Sequence, residues 1–187
     1  GKRPVTLDGK NVIDFSDVYG GIILGDKGVG KTGLLNSIVT QLIFLNSESA
    51  IKVIILDSKG DPIAKEYEKL KQVKRFGNSA DDYCELYNYI WAMVGKRQVS
   101  VNPKGLSDIF IVVDNLDSML RELKEEHEYE YTRVLRMLQT LLKRGEELGI
   151  HLIMAGKATN DLYPFLADAC ELQVLFMNEN KLGSQLL

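Results

Sequence analysis

Cysteine and histidine are scarce in this sequence, which contains two of each among 187 residues. Cys84 and Cys170 lie far apart along the chain and form no C-x-x-C pair. We therefore expect two reduced thiols in or near the core, which indicates a reducing compartment. With only these cysteines and histidines available as ligands, the composition argues against a zinc site.

Long apolar runs and a surplus of positive charge are also missing. No run approaches the roughly 18 apolar residues that a membrane span needs, and no signal peptide is visible. The net charge is −3 and the pI is about 5.5, so the surface as a whole does not suit nucleic acid or an anionic membrane, although a local basic patch is compatible with it. Because the chain starts with Gly-Lys-Arg rather than Met, we expect a segment of a larger protein, with any membrane anchor outside it.

A glycine-rich segment at residues 25–32 is the most informative feature that is present. It reads Gly-Asp-Lys-Gly-Val-Gly-Lys-Thr and fits the phosphate-binding pattern G-x-x-x-x-G-K-S/T. An apolar run at residues 21–24 precedes it and predicts a buried strand, whereas residues 33–43 predict a helix. Strand, glycine loop and helix form the context that this motif requires, and a chance glycine-rich turn is the alternative.

The chemistry of such a loop assigns roles to its residues. Glycines let the backbone turn so that successive N–H groups point at phosphate oxygens, and the helix N-terminus adds its positive dipole end. We expect Lys31 to reach the β- and γ-phosphates of a nucleotide and the Thr32 hydroxyl to take one Mg²⁺ position. The predicted nucleotide-binding residues are Gly25, Asp26, Lys27, Gly28, Val29, Gly30, Lys31, Thr32 and Gly33.

Two further apolar segments end in acidic residues. Residues 51–56 predict a central parallel strand that ends at Asp57, which is either on the ligand side of the sheet or a plain helix cap. Residues 109–113 predict a second buried strand that ends at Asp114. Together with the upstream loop, this strand resembles the acidic element of P-loop NTPases, in which the carboxylate holds Mg²⁺. A buried strand with a capping aspartate is the alternative for Asp114.

The remaining segments complete an alternation of strands and helices. Residues 5–15 alternate around Asp8-Gly9 and predict an N-terminal edge hairpin with a tight turn, structural in role or at most a lid beside a nucleotide base. Residues 121–130 are highly charged and predict a solvated helix end or exposed connection, with His127 exposed. An apolar stripe on the helix that starts near Ser79 indicates core or subunit contact rather than a base-stacking platform. The stripe consists of Tyr83, Leu86, Tyr87, Ile90, Trp91 and Val94.

Combined, these motifs resemble the FtsK/SpoIIIE family of ring translocases over nearly the whole chain. The specific signals are the phosphate loop together with Gly149-Ile150-His151 and with residues 180–184, Asn-Lys-Leu-Gly-Ser. The resemblance implies an α/β fold of the P-loop NTPase (RecA-like) type, a three-layer sandwich with a mostly parallel central sheet. It also implies a single nucleotide-binding domain over residues 1–187, with ATP and Mg²⁺ as cofactors and Thr32 and Asp114 at the metal.

The chain departs from this family at several positions associated with hydrolysis. Family members carry Glu directly after the metal-site aspartate to polarise the attacking water, whereas this chain has Asn115, and Asp117 nearby does not fall at the family position. Lys157 replaces a glutamine that senses the γ-phosphate, and Glu146 and Gln185 stand where arginines are usual. The resemblance therefore implies a domain that binds nucleotide with weak or absent hydrolysis, and no residue is assigned as catalytic.

Degenerate domains of this kind occur in the type VII secretion ATPases (EssC- or YukB-like), which the chain most resembles. That resemblance implies a membrane-associated protein-secretion translocase with tandem ATPase domains on the cytoplasmic side of the cell membrane. Its expected partners are other ATPase domains of the same chain or ring and the signal peptide of a secreted protein. Direct contact with nucleic acid is not expected, and membrane contact would occur only through other domains. An active DNA translocase and a non-enzymatic protein-interaction domain remain the alternatives.

Overall fold

The computed structural model describes residues 2–58, 60, 62–157 and 163–177. Strands and helices alternate along these residues, as the sequence predicts. In chain order the elements are β1 (Pro4–Thr6), β2 (Val12–Asp14), β3 (Gly20–Leu24), α1 (Lys31–Leu45), β4 (Ile51–Asp57), α2 (Pro62–Tyr67), β5 (Val73–Gly77), α3 (Ala80–Gln98), a 3₁₀ turn (Pro103–Gly105), β6 (Asp108–Asp114), α4 (Leu116–Glu126), α5 (Glu128–Leu148), β7 (Ile150–Gly156), α6 (Tyr163–Ala167) and β8 (Leu172–Leu175).

A six-stranded sheet with the order β5-β4-β6-β7-β3-β8 forms the centre of the molecule. Each pair of neighbours in it runs parallel. The predicted α/β fold with a mostly parallel sheet is therefore confirmed. The order also places β7 between β3, which leads into the glycine loop, and β6, which ends at Asp114. Because β3 and β6 run parallel, the residues that follow each of them lie at the same edge of the sheet.

Helices cover both faces of this sheet and produce three layers. On one face, α1 packs Leu35, Ile38 and Leu42 against strand residues such as Ile23 and Val112. On the other face, α3, α4 and α5 pack against the alternate residues of the same strands. A sheet that is buried on both faces needs strands that are apolar throughout, and this explains the unbroken apolar runs of β4 and β6.

The N-terminal hairpin is present, but it does not extend the central sheet. Strands β1 and β2 pair antiparallel as a separate two-stranded sheet. That sheet lies against α1, where Gln41 Oε1 accepts from the Thr6 backbone N–H at 2.9 Å. The predicted hairpin turn around Asp8-Gly9 is present: the Leu7 N–H donates to the Asn11 carbonyl at 3.3 Å, and Asp8 Oδ1 accepts from the backbone N–H groups of Lys10 and Asn11.

The apolar stripe on α3 is part of the core, as predicted. Its one exception is Trp91, whose side chain is exposed. The charged segment at 121–130 contains the largely exposed end of α4, as one of the two predicted alternatives has it, and the start of α5, with a break between the helices at His127. The side chain of His127 is 36% exposed, and its Nε2 lies 2.7 Å from Asp81 Oδ1 at the surface. Cys84 and Cys170 are both free thiols, and burial raises the pKa of each, that of Cys170 to about 12.

Candidate nucleotide-binding site

The glycine loop connects β3 to α1 in a conformation that its glycines make possible. Gly28 has φ 82° and Gly30 has φ 105°, in the left-handed region that residues with a side chain rarely adopt. Gly25 has a different role, because an added Cβ would lie 2.7 Å from Val29 Cγ2 and 2.8 Å from Phe176 Cβ. The loop therefore closes tightly against residues that follow β8.

Lys31 is the first residue of α1 and is folded into the loop, with 3% of its surface exposed. Its ammonium donates to the backbone carbonyls of Gly25 at 2.6 Å and Asp26 at 2.8 Å. The loop thus wraps around its own lysine, whose charge lies within the turn that would surround a phosphate group. A phosphate at this position would meet both the ammonium and the N-terminal N–H groups of α1.

The predicted metal-site residues lie together. Thr32 Oγ1 donates to Asp114 Oδ2 at 2.8 Å, although the two residues are 82 positions apart. Asp57 pairs in register with Asp114 across β4 and β6, so the polar end of β4 lies at the same sheet edge. A hydroxyl and a carboxylate are the oxygen ligands that Mg²⁺ prefers. In the described ranges no three His, Cys, Asp or Glu side chains form a metal-binding group.

Asn115 follows Asp114 and caps helix α4. Its Oδ1 accepts from the Ser118 backbone N–H at 2.9 Å, and its own backbone N–H donates to Ser58 Oγ at 3.0 Å. The side chain is buried, with 5% exposure. An asparagine at this position is a favourable N-cap, because its carbonyl oxygen satisfies an N–H that the first helical turn leaves without an intrahelical acceptor. The amide is therefore engaged by α4, a role that the sequence interpretation missed.

Lys157 is the first residue after β7. Its backbone N–H donates to Asp117 Oδ2 at 2.8 Å, which ties the end of β7 to the first turn of α4. On the other side, the Gly25 N–H donates to the Gly156 carbonyl at 3.2 Å. The side chain of Lys157 is exposed. The substituted sensor position thus lies beside the glycine loop.

An open, largely apolar cleft of about 560 Å³ adjoins the loop on the α1 side. The turn of the N-terminal hairpin forms one wall and the end of β8 forms another. A role of the hairpin as a lid beside a nucleotide base remains a prediction, and the contributions of α1 and of the end of β8 to this cleft were not predicted. The lining residues are Leu7, Asp8, Gly30, Gly33, Leu34, Ser37, Val174 and Phe176.

Residues 22–178 match the family model described as "ATPase family associated with various cellular activities (AAA)". The chain belongs to the AAA family of ATPases. The match extends from β3 to just beyond β8 and includes both the glycine loop and Asp114. A comparison with curated proteins finds no match.

Solved structures share the fold of this AAA domain at low sequence identity. EccC of Thermomonospora curvata (ATPases 2 and 3, in complex with a signal sequence peptide) has a TM-score of 0.65 and 19% identity over 90% of this chain and 31% of that chain. EssC of Geobacillus thermodenitrificans (ATPases 2 and 3) has a TM-score of 0.70 and 16% identity over 93% of this chain and 36% of that one. The conjugation coupling protein TcpA of pCW3, in a monomer form with ATPγS, has a TM-score of 0.71 and 20% identity over 94% of this chain and 53% of that chain.

The chain therefore spans about a third of the EccC and EssC chains to which it is similar and about half of TcpA. At these identities the likeness concerns the fold, which agrees with the predicted P-loop NTPase fold. Among the described residues of this AAA domain, no helix has the length and apolar character needed to cross a membrane.

Two of the family positions lie far from the glycine loop. Glu146 is near the end of α5, at the sheet edge where β7 begins, and helps to line an open cleft there. His151 is fully buried between the rings of Tyr19 and Phe110, with centroid distances of 4.5 and 4.2 Å. His151 thus has a structural role in this AAA domain. Gln185 and residues 180–184 lie outside the described residues.

Electrostatic interactions at that far edge of the AAA domain hold the start of β6. Burial by itself would raise the pKa of Asp108, but hydrogen bonding and charge from His151 and Arg3 lower it below its usual range. Arg3 Nε donates to Asp108 Oδ2 at 2.9 Å. Burial lowers the pKa of Arg97, whose guanidinium donates to the Leu148 carbonyl at 2.7 Å. The Arg3 contact joins the N-terminal segment to the start of β6, and the Arg97 contact joins α3 to the end of α5. Both lie at the sheet edge opposite the predicted nucleotide site.

Proposed function

We propose that this chain is the ATP-binding module of a membrane-associated type VII protein-secretion translocase, and that it binds Mg-ATP with weak or absent hydrolysis. Residues 1–187 would form one domain of a longer protein. The observation that carries the proposal is the Thr32–Asp114 hydrogen bond of 2.8 Å at the mouth of an intact glycine loop. Next to it, Asn115 occupies the position of the usual glutamate and is engaged as a helix cap.

The loop supplies the groups that would bind a triphosphate. The backbone of Gly28 to Gly33 and the Lys31 ammonium would hold the phosphates, with Asp26, Lys27 and Val29 shaping the turn, and the cleft beside Leu34 and Phe176 has room for a base. Thr32 and Asp114 would hold Mg²⁺, which neutralises charge on the phosphate oxygens when bound. Adenine rather than guanine follows from the FtsK/SpoIIIE resemblance.

Weak hydrolysis follows from the chemistry of Asn115. An amide accepts a hydrogen bond but cannot take a proton from water as a carboxylate can, and general-base assistance contributes about 10²–10⁴-fold in rate. The side-chain oxygen of Asn115 is in addition used by the Ser118 N–H. Asp117 is a nearby carboxylate, but its Oδ2 accepts from the Lys157 backbone N–H. Nucleotide would then act by shifting conformational populations that govern assembly or substrate engagement.

The proposed partners follow from the proteins that share the fold. EccC and EssC structures contain ATPases 2 and 3, and one of them holds a signal sequence peptide. We expect this domain to contact other ATPase domains of its own chain or ring and the signal peptide of a secreted protein, on the cytoplasmic side of the cell membrane. Membrane contact would come from other domains, and direct nucleic-acid contact is not expected at a net charge of −3.

Isothermal titration calorimetry with Mg-ATP tests the proposal directly. The unmodified chain should bind, and Lys31→Ala should lose most of the affinity because the ammonium lies within the loop. Lys143→Ala is the matched control, since Lys143 is an exposed lysine on α5 at the far edge of the sheet. Equal affinity in the unmodified chain and Lys31→Ala would contradict the assignment. No binding, and no thermal stabilisation by millimolar Mg-ATP, would favour a non-enzymatic interaction domain.

An active DNA translocase is the second candidate, because a conjugation coupling protein shares the fold. Steady-state ATPase assays with and without duplex DNA distinguish the two. We expect near-background turnover that DNA does not stimulate. Robust, DNA-stimulated activity with a steep dependence on salt would favour the translocase instead.

A further inference from the structure

The first residue after β4, Ser58, contacts the chain at the end of β6. Strands β4 and β6 are parallel neighbours, and Asp57 lies in register with Asp114. The backbone N–H of Ser58 donates to the Asp114 carbonyl at 2.8 Å, which continues the hydrogen bonding between the two strands by one residue. Ser58 therefore lies directly beside the residue that is predicted to hold Mg²⁺.

The side chain of Ser58 makes further contacts with the last residue of β6 and with the residue that follows it. Its Oγ accepts from the Asn115 backbone N–H at 3.0 Å, and it lies 3.3 Å from the Asp114 carbonyl oxygen and 3.2 Å from the Asn115 carbonyl oxygen. A hydroxyl has one proton, so it donates to one of these carbonyls at a time while it accepts from the N–H. These hydrogen bonds restrain the main chain of both Asp114 and Asn115.

Asp114 is thus held through two different parts of the residue. Thr32 Oγ1 donates to its carboxylate at 2.8 Å, whereas Ser58 holds its main chain. Mg²⁺ demands a near-ideal octahedral arrangement of its ligands, and groups that orient a metal ligand commonly change the metal affinity by about 10–100-fold. A carboxylate whose main chain could shift would meet that demand less well.

We propose that Ser58 is a positioning residue of the magnesium site. It fixes the main chain at Asp114 and Asn115 so that the Asp114 carboxylate and the Thr32 hydroxyl can bind one ion. Ser58 acts through Asp114 and is not itself a ligand of the metal or of the nucleotide. The inference rests on the proposed binding of Mg-ATP and adds a residue at the end of β4 to that site.

Calorimetric titration with ATP in a Mg²⁺ buffer and in an EDTA buffer tests the proposal on the unmodified chain and on three variants. Ser58→Ala keeps the backbone hydrogen bond to Asp114 but removes the hydroxyl, and it should lose about tenfold of the affinity that Mg²⁺ adds. Its affinity in EDTA should stay unchanged, because the glycine loop that would hold the phosphates follows β3 rather than β4. Ser58→Thr keeps a hydroxyl and should retain most of the Mg²⁺ effect. Ser49→Ala, at an exposed serine in the turn before β4, is the matched control and should alter neither affinity.

Two results in Ser58→Ala would overturn the proposal. One is an unchanged Mg²⁺ dependence, and the other is an equal loss of affinity in both buffers, which is what a purely structural role produces. Either result would leave the proposed function intact, provided that the unmodified chain binds ATP more tightly in Mg²⁺ than in EDTA. If Mg²⁺ did not raise the ATP affinity of the unmodified chain, the predicted metal site and this inference would fail together.

Urea denaturation without nucleotide checks that each variant folds. If Ser58→Ala does not fold, Ser58→Cys provides a milder change, because a thiol is of similar size to the hydroxyl but is a weaker donor and acceptor. The Mg²⁺ effect on ATP affinity should then be reduced in Ser58→Cys, with affinity in EDTA unchanged. A full Mg²⁺ effect in that variant would overturn the proposal in the same way.

Discussion

Thr32 donates a hydrogen bond from its hydroxyl to Asp114 Oδ2 at 2.8 Å, and this contact joins the start of α1 to the end of β6. Strand β3, which leads through the glycine loop to Thr32, and strand β6, which ends at Asp114, are not neighbours, because β7 lies between them. The contact therefore depends on the whole sheet being assembled. It brings a hydroxyl and a carboxylate together at the place where a nucleotide-bound Mg²⁺ would need them.

The first prediction concerns this pair. Asp114→Asn keeps an oxygen that can accept from Thr32 but removes the negative charge that would attract Mg²⁺. We expect the unmodified chain to bind ATP more tightly in Mg²⁺ than in EDTA, and we expect the variant to lose about tenfold or more of that difference. Calorimetric titration with ATP in a Mg²⁺ buffer and in an EDTA buffer measures this difference in affinity. Asp168→Asn, an exposed aspartate outside the site, is the control, and undiminished Mg²⁺ dependence in Asp114→Asn would contradict the assignment.

The second prediction concerns the stability of α4. Asn115→Glu moves the accepting oxygen one methylene farther from the backbone, out of the geometry in which it accepts from Ser118, and should lower the free energy of unfolding by about 1 kcal/mol, whereas Asn115→Asp preserves a favourable cap. Urea denaturation of both variants and the unmodified chain measures the difference. Equal stability of the Glu and Asp variants would show that the cap contributes little.

The same variants test the chemistry of this position. In a steady-state ATPase assay we expect near-background turnover from the unmodified chain. A gain in Asn115→Glu would identify the amide as the limiting feature, whereas no gain would indicate that the other substituted positions also matter. Robust turnover with Asn115 in place would contradict the proposed weak hydrolysis.

The glycine loop could be predicted because its determinants are local. Gly28 and Gly30 allow the positive φ angles of the backbone turn. The pattern of apolar residues on either side of the loop predicts the flanking strand and helix. Asp114 could be placed because an apolar strand that ends in aspartate is a recognisable companion of such a loop. The fold class followed from the same alternation of strands and helices.

Features that depend on sheet order were not predictable in this way. The contact between Gly25 and Phe176 requires β8 to lie beside β3, and the register of β7 decides that Lys157 lies next to the loop. The cap role of Asn115 did have a local signal, an asparagine directly before a helix, but the family pattern directed attention to its catalytic position instead. The separate hairpin sheet was missed because alternation within residues 5–15 does not specify what the hairpin packs against.

The third prediction concerns acid stability near the N-terminus. The Asp14 carboxylate accepts from the Arg3 backbone N–H at 2.7 Å and from the hydroxyl and N–H of Ser16, and these bonds lower its pKa to about 2. Because the folded pKa lies below the usual value of 3.8, the carboxylate stabilises the fold at higher pH. That contribution is fully present above about pH 4 and is lost as the pH falls toward 2.

Asp14→Asn measures this contribution. The variant should be less stable than the unmodified chain at pH 7, and the difference should shrink as the pH falls from about 4 through about 2, below which the carboxyl group is protonated in both the folded and the unfolded state. Urea denaturation at several pH values gives the comparison. Asp17→Asn, at a nearby exposed aspartate, is the control. A difference that stays constant over this range would show that the hydrogen bonds do not depend on the charge.

The fourth prediction uses two glycines that both lie within helices but differ in their surroundings. A Cβ at Gly145 of α5 would lie 2.5 Å from the Ile150 backbone carbonyl oxygen and 3.3 Å from Tyr19 Cβ, whereas a Cβ at Gly95 of α3 would meet nothing within 4 Å. Gly145→Ala would force α5 away from the start of β7 and should lower the free energy of unfolding by about 1–3 kcal/mol. Gly95→Ala should raise it by about 0.5–1 kcal/mol, because alanine loses less backbone entropy in a helix.

Opposite shifts in the urea midpoint at unchanged slope would confirm that close packing of α5 against β7, rather than helix propensity, requires glycine at Gly145. Stabilisation by both substitutions would contradict that packing.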